Sequence, residues 1–255
     1  MGYLVCGPVG TGKTFLVTCF AGEVGIPMVK LKNFRSQWQG VTEGNLEKIL
    51  NLLKAMAPVA VMIDEADAYL GDRAASGDSG VSSRVFSQIA SFMSNTAHRG
   101  RIIWFLMTAR PDLMPVDLKR QGRAEEHLAL FPPSTEKERV ELFNVMKNKT
   151  GLRMTKNIVP EVIAKGNKAF SGADMEAALT RAKFRAAARG KKRISPRILN
   201  EALDDFLPPA YPDEIELQTL AAVIECTSKA LLPEKYRDMD RSVISGKIDE
   251  MKRMF

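Results

Sequence analysis

Histidine is almost absent from this chain: His98 and His127 are the only two in 255 residues. Neither has a cysteine or a second histidine at metal-ligand spacing, which excludes a structural zinc site. No zinc-protease motif or second catalytic domain is visible either, so any linked proteolysis would have to be supplied in trans. Cysteine is nearly as scarce. Cys6, Cys19 and Cys226 are odd in number and widely separated, so no disulfide scaffold is expected. No run approaches the roughly 18 apolar residues that a membrane-spanning helix needs. A basic leader with an apolar run and cleavage site is also lacking, and a cytoplasmic protein without a membrane span is expected. Internal repeats and low-complexity segments are missing.

What remains is the composition of a globular protein, 45% hydrophobic and 26% charged, with 18 glycines and 13 prolines. A chain of this length can bury a sizeable core. The net charge of +7 is unevenly spread. Eight basic residues (Arg181, Lys183, Arg185, Arg189, Lys191, Lys192, Arg193, Arg197) and no acidic one fall within 181–197, and without them the balance is −1. One basic patch on a nearly neutral chain is weaker support for nucleic-acid binding than a uniformly basic domain. The exposed face of a helix is the plainer reading, with an acidic partner or nucleic acid left open.

Apolar periodicity predicts alternating strands and helices over the first half. Tyr3–Cys6 reads as a strand, Thr14–Ala21 as a helix and Pro27–Leu31 as a second strand. Leu46, Ile49, Leu50, Leu53 and Ala57 recur at helical spacing until Pro58 stops them. Val59–Ile63 is a continuous apolar run, as expected of a parallel strand buried on both faces. Val85, Phe86, Ile89, Phe92 and Met93 form another helical stripe. Ile102–Met107 is a further central strand, and Leu128–Phe131 a short last one. This alternation predicts a three-layer α/β sandwich on a parallel five-stranded sheet.

Beyond Pro132-Pro133 only helices are predicted. Thr135 with Glu138 forms a capping box before a helix carrying Val140, Leu142, Phe143 and Met146. Ser171 caps a helix with Met175, Ala178, Leu179 and Ala182. Ser195-Pro196 starts another, with Ile198, Leu199, Leu203 and Phe206. Pro208, Pro209 and Pro212 mark a linker to a stripe of Leu217, Leu220, Ala221 and Ile224, followed by a polar helix from about Asp240. The expected organisation is an α/β core at 1–132, a small helical lid at 133–207 and a helical C-terminal extension at 208–255.

Gly7-Pro8-Val9-Gly10-Thr11-Gly12-Lys13-Thr14 matches the phosphate-loop pattern at every position, between a predicted strand and a predicted helix. Its glycines let backbone N–H groups turn toward phosphates, and the helix terminus adds its dipole. Lys13 is expected at the β- and γ-phosphates of ATP, and the Thr14 hydroxyl on Mg²⁺. Val59–Ile63 ends in Asp64-Glu65, which offers Asp64 to the Mg²⁺ shell and Glu65 as the group that polarises water. The adjacent Asp-Glu favours hydrolysis over transfer to an acceptor.

At this point the chain resembles an AAA+ ATPase, and more narrowly the classical AAA group, over about residues 1–207. Three further segments carry the likeness. In "FLMTARPD", Thr108 is similar to the sensor-1 position, which helps orient the attacking water. "PVDLKRQGRAEE" resembles the second region of homology, and its Arg120 and Arg123 correspond to arginine fingers that reach a neighbouring subunit's nucleotide. "FSGAD" resembles the start of the lid helix, where Gly172 and Ala173 approach the nucleotide. Trp38-Gln39-Gly40 falls where the family places its first pore loop. Trp38 and Gly40 match its aromatic and glycine, and Gln39 departs from its hydrophobic middle. Ala124-Glu125-Glu126 also departs from the usual aromatic and aspartate after the second arginine.

The resemblance implies a Mg²⁺-dependent ATPase assembled as a homo-oligomer, a hexameric ring, that remodels or unfolds a protein client. Two other readings stay open: a nucleotide-controlled scaffold that does not thread its partner, and a DNA-associated ATPase of replication or mobile-element biology. The family also carries a segment before the first strand that packs on adenine, and none precedes Tyr3 here. The chain is therefore expected to be part of a longer protein or a product of an internal start. Nucleotide would then bind mainly through phosphates, with little preference between ATP and GTP. Apolar surface beside Tyr3–Cys6 would lie open, for the C-terminal stripe to cover.

Overall fold

A computed structural model describes residues 1–31, 41–70, 79–166, 170–208 and 211–254. The strands are β1 (Gly2–Cys6), β2 (Met28–Leu31), β3 (Val59–Ile63), β4 (Ile102–Thr108) and β5 (Ala124–Ala129). They form one all-parallel sheet in the order β2-β3-β4-β1-β5. The helices between them are α1 (Lys13–Val24), α2 (Val41–Met56), α3 (Ala66–Leu70) and α4 (Ser79–Ser94). After the sheet come α5 (Glu136–Lys149), α6 (Glu161–Ala164), α7 (Gly172–Ala188), α8 (Pro196–Asp205), α9 (Pro212–Glu225), α10 (Glu234–Arg237) and α11 (Arg241–Met254).

The chain divides into two compact units. The first comprises Met1–Pro8, Lys13–Leu130 and Glu216–Phe255; the second comprises Val9–Gly12 and Phe131–Ile215.

In the first unit the strands alternate their side chains between two faces, as a pleated strand must. Leu4, Val59, Val61, Ile63, Ile102, Trp104 and Leu106 share a core with Leu46, Leu50 and Leu53 of α2 and Val85, Ile89 and Phe92 of α4. The residues between them, Val5, Ala60, Met62, Phe105 and Met107, share a second core with Val17 and Ala21 of α1. Both faces are therefore covered, which is why β3 and β4 read as unbroken apolar runs. The expected three-layer sandwich on a parallel five-stranded sheet is the observed fold.

Two expectations need correction. The last strand is Ala124–Ala129 instead of Leu128–Phe131. It lies at the edge of the sheet, so Glu125 and Glu126 stay partly or fully exposed while Ala124, His127 and Ala129 point inward. The two charged residues, with a register irregularity between Ala124 and Glu126, break the apolar pattern that would have marked the strand. Nor, among the described residues, does β1 itself present an open apolar face. That strand is enclosed between β4 and β5, with Leu4, Val5 and Cys6 fully buried. The C-terminal segment bonds to β5: Thr227 N–H donates to the His127 carbonyl (3.2 Å), and His127 N–H donates to Thr227 Oγ1 (3.1 Å). Its last helix is polar only outwardly, since Ile244, Ile248 and Met251 are buried at helical spacing.

In the second unit the core gathers Phe143 of α5, Ile163 of α6, Met175, Ala178, Leu179 and Ala182 of α7, and Ile198, Leu199 and Leu203 of α8. Capping boxes start α5 (Thr135 with Glu138) and α7 (Ser171 with Asp174). Ser195 caps α8 ahead of Pro196. An isolated bridge between Met154 and Ile194 is the extended pairing recorded there among the described residues.

Candidate functional site

The phosphate-loop segment leaves the carboxyl end of β1, Asp64-Glu65 leaves that of β3, and Thr108 closes β4. These are three adjacent strands, with Cys6 paired to Thr108 and Ile63 to Leu106. In an open α/β sheet, that end is where ligands bind.

The loop's glycines are required by its geometry. Gly7 has φ of 140°, and a Cβ built there would lie 2.0 Å from the Leu130 carbonyl oxygen. Gly10 has φ of 79°, and its carbonyl accepts from the Gly172 N–H at 3.1 Å. Within the second unit the loop's middle thus stands against the first turn of α7. Ser171 and Ala173 are its side-chain neighbours there. Lys13 opens α1, and its ammonium donates to the carbonyls of Gly7 (2.6 Å) and Pro8 (2.9 Å). Burial holds the Lys13 pKa below the usual lysine value, while Cys6, Asp64 and Asp67 pull it back. An ammonium satisfied by loop carbonyls gains from exchanging them for an anion. Just before the loop, burial pushes the Cys6 thiol up to about 12, so it stays protonated and inert.

Thr14 Oγ1 donates to Asp64 Oδ2 at 3.2 Å. A hydroxyl and a carboxylate from separate elements thus converge on one point. The same carboxylate oxygen accepts from Lys30 Nζ at 2.9 Å, and its other oxygen accepts from the Glu65 N–H at 3.2 Å. Glu65 has φ of 52°, the only positive φ at a non-glycine residue among those described. Holding a glutamate in the left-handed region costs about 1–3 kcal/mol, and such strain gathers at functional positions. Thr108 is 1% exposed; its hydroxyl donates to Asp67 Oδ1 (2.7 Å) and accepts from the Arg110 N–H (2.8 Å).

Arg120 and Arg123 differ in their setting. Arg123 is 12% exposed and donates to Ser94 Oγ (2.9 Å) and the Asp117 carbonyl (2.9 Å). Arg120 is 59% exposed and touches Asp117 at 3.2 Å. Trp38 and Gly40 lie outside the described residues.

The residues suit a magnesium nucleotide: a loop with glycines at positive φ, a lysine whose ammonium donates to loop carbonyls, and a hydroxyl-carboxylate pair of oxygen donors that Mg²⁺ prefers. Thr14 and Asp64 would hold the metal, and Gly7–Thr14 the phosphates.

Residues 3–131, just over half of the chain, match the model of the ATPase family associated with various cellular activities (AAA). The chain belongs to the AAA family. The family's members are ATP-hydrolysing enzymes, and the expected AAA+ membership stands. The chain is 29% identical over 233 residues to the cell division cycle protein 48 homolog of Archaeoglobus fulgidus, covering 84% of this chain and 31% of that protein. It is 28% identical over 240 residues to the ATP-dependent zinc metalloprotease FtsH 1 of Salinibacter ruber, covering 92% and 32%. With FtsH 3 of Symbiobacterium thermophilum it shares 32% over 210 residues, covering 81% and 33%. It spans about a third of the length of these relatives.

Two residues at the AAA site escaped the sequence reading as participants, Lys30 and Asp67. Lys30 was legible as the one charge inside a short strand. Asp67 sits two residues after Glu65, but its partner Thr108 is distant in sequence. Among the described residues no helix is long and apolar enough to cross a membrane.

Proposed function

We propose that this chain is the Mg²⁺-dependent ATPase core of a homo-oligomeric ring, taken as a hexamer, that couples hydrolysis to remodelling or unfolding a protein client. The observation that carries the reading is the convergence of Thr14 and Asp64 beside a backbone-strained Glu65 at the carboxyl end of β3. Bound magnesium would neutralise phosphate charge and orient the transferring phosphoryl group. The chain's own residues do the rest. Lys13 and the loop N–H groups hold the phosphates, with Gly172 and Ala173 flanking Gly10. Glu65 orients and accepts a proton from water, and Thr108, itself held by Asp67, fixes that water's second direction.

Arg120 and Arg123 are assigned to the nucleotide of the next subunit. The high exposure of Arg120 suits a group that completes its contacts on a neighbour. Arg123 then serves as the inner, braced member of the pair. Trp38 and Gly40 keep the client-gripping role that the resemblance implies. A cytoplasmic location is part of this reading and is checked by cell fractionation.

The basic segment lends little to the nucleic-acid alternative. Arg185 pairs with Asp205, Arg189 and Arg197 pair with Glu201, Arg181 stacks on Phe206, and Lys183 donates to the Thr150 carbonyl. Five of the eight charges thus work inside the second unit.

Glu65→Gln is expected to keep ATP binding while turnover falls about 10²–10⁴-fold, the usual worth of a general base. Lys13→Ala weakens binding itself. ATPase assays alongside calorimetric titration check both, and parental turnover in both variants overturns the site. Adding unfolded protein, folded candidates or DNA to the same assay tells the remodeller from its alternatives by which one stimulates turnover.

A further inference from the structure

The stretch from Thr108 to β5 carries the arginine pair, yet it has no regular structure beyond two short 3-10 turns, Pro111–Leu113 and Val116–Leu118. Met114 and Leu118 pin it to the core, and a set of ion pairs fixes the rest. Lys119, immediately before Arg120, donates to Glu225 Oε1 (2.5 Å) and to the Pro111 carbonyl (3.1 Å), so one ammonium closes the loop on itself. Asp112 accepts from Arg110 Nε (3.0 Å) and from Lys252 Nζ (2.9 Å). Glu225 ends α9 and Lys252 lies on α11, so both ties come from the C-terminal segment.

That segment is itself braced. Lys247 of α11 pairs with Glu216 of α9, and Arg241 donates to the Cys226 carbonyl at 3.1 Å. Glu225 also faces His127 of β5, whose Nδ1 is 3.3 Å from Glu225 Oε2 and 3.0 Å from the Glu225 carbonyl. Its Nε2 is 3.0 Å from the Ala124 carbonyl. Both ring nitrogens face acceptors, so the arrangement is complete when His127 carries two protons. The carboxylate of Glu225 therefore stands between the His127 imidazole of β5 and the Lys119 ammonium of the arginine loop, both largely buried.

We propose that Glu225 and Lys252 are positioning residues for the Arg120–Arg123 segment, holding Lys119 and Asp112 so that the arginines meet the neighbouring subunit in fixed register. This rests on the trans-arginine reading above. Neither residue touches nucleotide; each acts through the loop, and a small misplacement of a charge-stabilising group is costly to turnover.

The test is subunit complementation in the full chain. Glu225→Ala is expected to lower turnover of the assembled protein about 10- to 100-fold, the cost of roughly 1 Å of misplacement, while ATP binding to the isolated subunit is unchanged. Lys252→Met, a change on a partly exposed helix face, serves in the same scheme if Glu225→Ala fails to fold. In a mixture with Glu65→Gln subunits, the variant's intact site meets intact arginines, and turnover per variant subunit should recover. In a mixture with Arg120→Ala subunits it should not, because both defects lie on the donating side. Mixing Arg120→Ala with Glu65→Gln tests the trans reading itself. No recovery there overturns the trans reading and the positioning role together. Recovery there without recovery for Glu225→Ala or Lys252→Met overturns the positioning role alone, as does equal recovery with both mixing partners.

Discussion

Lys30 places a cationic group on the carboxylate proposed here to hold the metal. Its ammonium is 2.9 Å from Asp64 Oδ2, the oxygen that Thr14 also reaches. A divalent ion arriving at Asp64 must displace or share that contact. Because the lysine side chain is 42% exposed, the pair is worth about 0–1 kcal/mol, a factor of up to about five in an equilibrium. Lys30→Met is therefore expected to lower the Mg²⁺ concentration at half-saturation by about two- to fivefold. A magnesium titration of fluorescent-nucleotide binding reads this directly, and an unchanged or raised midpoint counts against it. Glu65 illustrates the other way a residue declares itself, through backbone strain that no helix or strand preference explains.

Among the elements, α5 and α7 begin in the same way. Thr135 and Ser171 each accept from the N–H three residues on, and the acidic side chain there reaches back to the cap. Four N–H groups at a helix start have no partner within the helix, and these boxes satisfy two of them. Thr135→Ala and Ser171→Ala should each cost about 1 kcal/mol, and the corresponding glycine variants only a few tenths. Urea unfolding of the four variants measures this, and equal losses for alanine and glycine would show that the caps contribute little. Ser171 has a further duty, since its side chain lies against Gly10. Its alanine variant should therefore also weaken ATP binding, whereas Thr135→Ala should not.

At the scale of the whole molecule, the C-terminal segment makes stability depend on pH. Burial acts to lower the His127 pKa, but the Glu225 hydrogen bond and charge, with the two carbonyls, raise it above the ordinary 6.5. A raised histidine contributes stability that is complete below its unfolded value and is lost as pH climbs through the folded one. Glu225 and Asp112 behave oppositely. Burial acts to raise both, and Lys119 with His127, and Arg110 with Lys252, outweigh it and hold them low. Their contribution is present above the unfolded carboxylate values of 4.5 and 3.8 and is lost as pH falls through the folded ones. The segment is thus held best between about pH 4.5 and 6.5. Thermal melts from pH 6 to 8.5 should show a loss of stability in the parent that is smaller in His127→Gln. Parallel curves would remove His127 from the account.

Much of this architecture follows from local pattern. The apolar runs of β3 and β4, the phosphate-loop spacing, Asp64-Glu65 and the three helix caps are properties of neighbouring residues, and the periodicity and motif that reveal them are local too. The partners of those residues are not local. Asp67 meets Thr108 across 41 positions, Lys30 meets Asp64 across 34, and Lys119 meets Glu225 across 106. Such pairs depend on which strands become neighbours. The order β2-β3-β4-β1-β5 arises from packing helices on both faces of one twisted sheet, and no single segment encodes it. The same holds for His127, an isolated histidine in the sequence. Its protons are decided by a carboxylate and two carbonyls that only the folded chain brings to its ring.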